Sequence, residues 1–264
     1  MNYEIVTVAT HNEGMFNELI NNKYNAKIKI LGWKQKWSGL KMKFELIYDY
    51  IKNKNDNTIV IFLDGFDTLI NNNPNDTIKI FKNNNYKLVL SKNIIDQFNG
   101  YEKIVFNSCK NDLIANVGMY MGYVKYLKII LKDAIQDKCK DDQIIFNNLC
   151  HKYDFIQIDE KEEIFKNIKL VNKNNLENKK AIFVSFPGSL SMKRIYRGFF
   201  EYGQFFFIKG LLIVLLICFL LTFFELYYIL LIFIILILIY IIWIIVVFRV
   251  VFRAVRIYNV LNKL

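Results

Sequence analysis

Ile59-Val60-Ile61-Phe62-Leu63-Asp64-Gly65-Phe66-Asp67 decides the fold. From Thr58 to Leu63 the run is short, rich in β-branched residues and without polar alternation, which reads as a strand covered on both faces. Residues 3–10 form a second such strand, and weaker ones are read at Ala26 to Leu31, Tyr86 to Leu90, Phe155 to Ile158 and Ala181 to Val184. Between them, helical patterns fall at Gly14 to Asn21, Lys41 to Lys52, Asn75 to Asn83, Tyr123 to Ala134 and Asp141 to His151. This alternation predicts an α/β fold, a mainly parallel sheet with flanking helices. Ligands of such sheets bind outside the carboxyl ends of the strands, which is where Asp64 and Asp67 fall.

The 264 residues carry 35 Lys+Arg against 24 Asp+Glu, a formal charge of +11, and 54% of them are hydrophobic, which excludes disorder as the main state. The charge is unevenly placed. Residues 193–264 hold eight basic and two acidic residues, so +6 sits there and +5 on the first 192. Positive charge flanking a very apolar stretch is a membrane signature and not a nucleic-acid one. From Leu211 to Phe248 the only charge is Glu225. A helix of that length outruns a bilayer core of roughly 30 Å, so two passes fit better than one: about Phe205 to Phe224, then Leu226 to Phe248, with Glu225 near the turn. The alternative is a single pass at Leu226 to Phe248 with the earlier run in the interface. Basic residues on both outer flanks (Lys193, Arg194, Arg197, Lys209; Arg249, Arg253, Arg256, Lys263) predict a multi-pass membrane protein whose α/β domain faces the cytosol. The expected organisation is an α/β domain at 1–192, a basic aromatic juxtamembrane segment at 193–210, a transmembrane α-helical hairpin at 211–248 and a basic amphipathic tail at 249–264. No signal peptide is read at the N-terminus.

Cys109, Cys139, Cys150 and Cys218 form no Cys-x-x-Cys pair, so neither a zinc site nor a disulfide scaffold is expected, and a reducing compartment suits them. With His11 and His151 as the only histidines, carboxylates have to do most of any catalytic work. Asp64 and Asp67 can share Mn²⁺ or Mg²⁺, leaving positions open for the oxygens of a nucleotide diphosphate. The plainer alternative is that Asp64 caps a helix and Asp67 is a solvated turn residue. Asp141 and Asp142, at a helix start, either favour the positive end of its macrodipole or orient and deprotonate a hydroxyl. Lys43 is either an exposed helix cation or a group that stabilises a departing diphosphate.

Further segments bear on the choice: Thr7-Val8-Ala9-Thr10, Trp37-Ser38-Gly39 followed by Lys43, Asn116-Val117-Gly118-Met119-Tyr120-Met121-Gly122, Asp141-Asp142-Gln143, and Ile156-Gln157-Ile158-Asp159 followed by Ile164-Phe165. Without a ligand, Asn116 to Gly122 is a strand whose glycines allow close packing. Taken in order, with Asp64-Gly65-Phe66-Asp67, these segments resemble the glycosyltransferase domain of the procollagen lysyl hydroxylase and glycosyltransferase family across roughly residues 3–190. The resemblance implies a GT-A-type fold and a metal-assisted transfer of a hexose from a UDP-sugar to an acceptor hydroxyl of a protein, glycan or lipid. It implies that Asp64 and Asp67 bind Mn²⁺ (or Mg²⁺), Phe66 stacks on the uracil, Thr10 touches the nucleoside and Lys43, aligning better than Lys41, reaches the diphosphate. Asn116 and Gly118 then line the sugar pocket, Gln143 neighbours the sugar, and Asp141 or Asp142 serves the acceptor. The sequence also departs from the family. Where the family closes its metal site with a His-x-Asn-Gly turn, Phe183-Val184-Ser185-Phe186-Pro187-Gly188 has Ser185 at the His position and Pro187 at the Asn position. A water or His11 then takes the third place, or the chain is a catalytically degenerate scaffold or nucleotide-sugar binding protein.

Overall fold

The computed structural model describes residues 3–95, 99–169 and 180–187 and, in the apolar tail, 213, 215, 231–244 and 246–247. The chain forms two units, Met1–Leu190 and Ser191–Leu264. In the first, the elements run β1 (Tyr3–Val8), α1 (Phe16–Ile20), β2 (Ile28–Leu31), α2 (Lys41–Ile51), β3 (Ile59–Asp64), β4 (Thr68–Ile70), α3 (Asp76–Asn83), β5 (Leu88–Lys92), α4 (Asn99–Phe106), β6 (Ala115–Tyr123), α5 (Val124–Gln136), α6 (Asp142–Lys152), β7 (Ile156–Ile158), β8 (Phe165–Asn167) and β9 (Phe183–Ser185).

The main sheet has the order β2-β1-β3-β6-β5-β7. β1 pairs parallel with β2 and β3, and β5 parallel with β7, whereas β6 runs antiparallel to both its neighbours. The sheet is therefore mainly parallel, as expected, with β6 as its one reversed strand among the described residues. That strand, Ala115–Tyr123, enters from the opposite end and carries the Asn116–Gly122 run through the middle of the sheet. The chain leaves β1 on one side for β2 and returns on the other for β3, which makes the carboxyl ends of β1 and β3 a topological switch point. Val8 and Asp64 are register partners at that edge.

Strand alternation divides the core between the two faces. One face packs Val6, Val8, Val60, Phe62 and Tyr120 against Phe44 and Ile47 of α2, Leu127 and Leu131 of α5, and Ile145 and Phe146 of α6. The other packs Ile5, Ile61, Leu63 and Met119 against Leu19 of α1, Phe81 of α3 and the small sheet. The apolar spacing that predicts α5 from sequence, Val124, Leu127, Ile130, Leu131 and Ala134, is the stripe it buries. Each fully buried Leu, Ile or Phe is worth about 2 kcal/mol of transfer free energy. The small sheet, β4-β9-β8, joins residues more than a hundred positions apart.

Most of the expected transmembrane hairpin lies outside the described residues. Residues 231–244 are helical, and Leu231 to Trp243 expose apolar side chains. Among the described residues no helix is long and apolar enough to cross a membrane.

Candidate functional site

Asp64 is the last residue of β3, and it faces the same side of the sheet as Phe62, two residues before it. Over that face lie the N-terminal turn of α2, bringing Lys43, and the start of α6, bringing Asp142. Lys43 Nζ forms an ion pair with Asp142 Oδ2 and lies 3.6 Å from Asp64 Oδ2. Lys43 is only 7% exposed, so it is not the solvated helix cation of the plainer reading. Burial pulls its pKa down, but Asp142, Asp64 and the more remote Asp67 together outweigh burial and raise it, so the ammonium is held charged. Lys41 is turned away and donates to the carbonyls of Ile135 and Asp137 at the end of α5. Three carboxylates thus act on one buried ammonium at the switch point.

β6 closes the floor. A Cβ at Gly118 would crowd Asn116 Oδ1 at 3.0 Å and come into ordinary contact with Asp64, 3.9 Å from its Oδ2. Gly118 N–H donates to Asn116 Oδ1 at 2.9 Å, and Asn116 Nδ2 reaches Asn93 Oδ1 at 3.4 Å. Asp67 lies beyond β3 and is tied to the small sheet: Ser185 Oγ stands 3.2 Å and Thr68 Oγ1 3.4 Å from its Oδ1. The residue at the family's His position is thus a hydroxyl donor to Asp67. Two carboxylates and a hydroxyl are hard oxygen donors that suit a divalent cation keeping several waters, such as Mg²⁺ or Mn²⁺. Among the described residues no group of three His, Cys, Asp or Glu is placed to hold a metal.

α6 is fixed at both ends. Asp141 is its N-cap and accepts from Ile144 N–H at 2.9 Å. Burial pushes the Asp141 carboxyl up to about 6, against hydrogen bonds from Ile144 and Gln143 N–H and with a further push from Asp142. One turn on, Asn147 grips the backbone of Ala115 from both sides, its Oδ1 accepting from Ala115 N–H at 2.8 Å and its Nδ2 donating to the Ala115 carbonyl at 3.1 Å. At the other end, Cys150 is disulfide-bonded to Cys109, with the Cα atoms 5.0 Å apart. This corrects the expectation of reduced cysteines. The partners are 41 residues apart in sequence, and only the packing of α6 beside the turn that precedes β6 brings them together. Cys139 is free.

A second group gathers at the end of β1. Thr10 is nearly buried, its Oγ1 2.8 Å from His11 Nδ1, and His11 Nε2 pairs with Glu13 at 3.1 Å. Phe66 packs with Ala9 and Phe16, and the His11 ring covers it at 5.2 Å. His11 therefore engages Thr10, Glu13 and Phe66. Gln143 sits in the first turn of α6, beside Asp142, where its carbonyl accepts from Asn147. Asp159, part of the matched segments, is structural: its carboxylate accepts from the N–H groups of Glu163, Ile164 and Phe165 and shapes the turn into β8.

The structure brings together Asp64, Lys43, Asp142 and Gly118, with Asn116 beside Gly118, and groups Thr10 and Phe66 around His11. Sequence reasoning missed Asn147 and Tyr120. Only an Asn on an otherwise apolar helix face hinted at the first of these. Comparison with known proteins adds the lineage. A mouse protein named procollagen-lysine,2-oxoglutarate 5-dioxygenase 2 is 24% identical over 166 residues, covering 55% of this chain. The chain spans only about a fifth (21%) of that relative's length. Among solved structures, the crystal structure of A197 from STIV matches with a TM-score of 0.40 and 13% identity, over 57% of this chain and 78% of that one. The family model described as the PLOD GT domain matches residues 1–182, and the chain therefore belongs to that family of glycosyltransferase-like domains.

Proposed function

We propose that the protein is a membrane-anchored transferase that moves a hexose from a UDP-sugar to a hydroxyl of a protein, glycan or lipid, assisted by Mn²⁺ or Mg²⁺. The observation that carries this reading is the gathering of three carboxylates, Asp142, Asp64 and Asp67, around the buried Lys43 at the switch point, an oxygen-rich set that suits a divalent cation. Asp64 and Asp67 are the residues that would hold the cation, which when bound neutralises charge on the leaving diphosphate. Lys43 stabilises the same charge from α2. Thr10 and the His11–Phe66 pair offer the nucleoside a hydroxyl and a ring surface, and Asn116, Gly118 and Gln143 border the sugar. In the transfer, the bond between the anomeric carbon and the phosphate oxygen breaks and its electron pair leaves with UDP. The acceptor oxygen bonds to that carbon and gives up its proton. Asp141, with its carboxyl lifted to about 6, is suited to accept it.

The exposed apolar helix at 231–244 supports insertion of the tail in a bilayer. The basic flanks support a cytosol-facing domain. The Cys109–Cys150 bridge favours an oxidising compartment, and its redox state in cells separates the two.

The test is UDP release from UDP-glucose or UDP-galactose by the detergent-solubilised full chain, with and without Mn²⁺. Release that requires Mn²⁺ and falls at least a hundredfold in Asp64→Asn and Asp67→Asn variants supports the enzyme. Ser185 in place of the family's His favours a second reading, a nucleotide-sugar binding protein without turnover. That reading predicts Mn²⁺-dependent UDP binding with no release, even when candidate acceptors are supplied.

A further inference from the structure

Tyr120 is the odd residue on the floor of the site. It lies on β6, two positions from Gly118 and on the same face, and it pairs in register with Phe62, two positions before Asp64. Its ring packs 4.8 Å from Phe62 and 5.5 Å from Phe146. Phe146 stands one helical turn from Asp142 on the same side of α6, and it stacks at 5.0 Å on Phe44, the neighbour of Lys43. The phenol is thus held between Phe62 and Phe146, near enough to Asp142 and Asp64 for their charges to act on its hydroxyl. It is fully buried, and its hydroxyl has no hydrogen-bond partner among the described residues. The other two buried hydroxyls without a partner, those of Thr7 and Thr77, belong to β1 and α3 and not to this face of the sheet. Burial, followed by the negative charges of Asp142 and Asp64, holds the Tyr120 proton on, so the group stays a donor.

A buried donor without an acceptor is costly and is explained if an acceptor becomes available to it in another conformation of the site. In the structure Asp142 is claimed by Lys43. On the reading above, a bound diphosphate draws Lys43 away and leaves Asp142 a buried carboxylate without its cation. We propose that Tyr120 is a positioning residue that donates its hydroxyl proton in a hydrogen bond to Asp142 when Lys43 turns to the diphosphate, holding that carboxylate in place for the sugar or acceptor hydroxyl. The Lys43–Asp142 pair is then the resting state of a two-position switch, and donor binding readies the acceptor side. This inference deepens the proposed function and rests on it for the departure of Lys43.

The experiment is a thermal-unfolding cycle on the full chain in detergent, with wild type, Tyr120→Phe, Lys43→Met and the double variant, without ligand and then with UDP plus Mn²⁺. Without ligand, Tyr120→Phe alone leaves the melting temperature unchanged or raises it, because it removes an unpartnered hydroxyl. In the Lys43→Met background, where Asp142 has no cation, the same change lowers it by several degrees. With UDP and Mn²⁺, the stabilisation of wild type exceeds that of Tyr120→Phe. UDP release by Tyr120→Phe falls about tenfold in kcat with KM for the UDP-sugar preserved, the signature of a charge-assisted bond made after binding. Equal effects of Tyr120→Phe in both lysine backgrounds overturn the inference while leaving the glycosyltransferase reading intact. If Lys43→Met does not fold, the ligand-induced shift decides, and equal shifts in wild type and Tyr120→Phe overturn it. Absence of any shift in wild type overturns it together with the reading on which it rests.

Discussion

Asp141 answers to two opposed demands. Its oxygen must cap α6, yet burial lifts its carboxyl to about 6 from an ordinary 3.8. Between those values the folded chain holds a proton that the unfolded chain has released, so this group's contribution to stability declines as pH rises from about 4 to about 6, and above that the penalty is constant. Asparagine keeps the capping oxygen without the charge. Asp141→Asn is expected to melt higher than wild type at pH 7.5, with the gap closing toward pH 4. The acidic limb of UDP release near pH 6 disappears from whatever activity remains. Scanning calorimetry and a pH–rate profile check both. Gly65 is constrained by space instead of charge, since a Cβ there would lie 2.9 Å from the Val8 carbonyl oxygen. Gly65→Ala must push β3 and β1 apart just where they hold Asp64 and Thr10. A loss of about 1–3 kcal/mol in denaturant unfolding is expected, with weaker UDP binding.

At the scale of elements, α6, which carries Asp142 and Gln143 behind its cap Asp141, is clamped to β6 by Asn147 and to the preceding turn by the disulfide. Opening a loop of 41 residues in the unfolded chain weakens the fold by about 4 kcal/mol in the chain-entropy account. Cys150→Ser should show that loss by urea unfolding, while wild type treated with a reductant behaves like the variant. Neither clamp could be read from the sequence. Which residues face β6 depends on the packing of a helix whose own pattern shows only that Ile145, Phe146, Leu149 and Cys150 are buried together. β3 was legible because five apolar residues ending in an acid have few other readings, and Asp64 and Asp67 followed from the strand's end. Lys43 needed the matched segments to be singled out, and its burial against carboxylates was invisible until α2 and α6 were set side by side. β4 and β8, three residues each, are too short to carry a period, so the small sheet went unforeseen, and that Ser185 stands by Asp67 followed only from the resemblance.

For the whole molecule, the tail and the bridge make separable demands. If residues 211–248 insert, the chain stays with membranes after alkaline carbonate extraction, and a chain ending at residue 192 does not. Rapid alkylation of intact cells then reads the side. Protected Cys109 and Cys150 place the domain in an oxidising compartment, whereas alkylated ones place it in the cytosol and leave the bridge to form only after lysis. The small sheet bears on how the domain can be handled alone. Its central strand, β9, comes from residues 183–185, whereas the family match stops at 182. A researcher who trims the gene at the end of the recognised homology would delete the strand between β4 and β8 together with the hydroxyl that Asp67 leans on, and would find a protein unstable or inert for reasons of cloning. A stop codon placed beyond Pro187 preserves that strand.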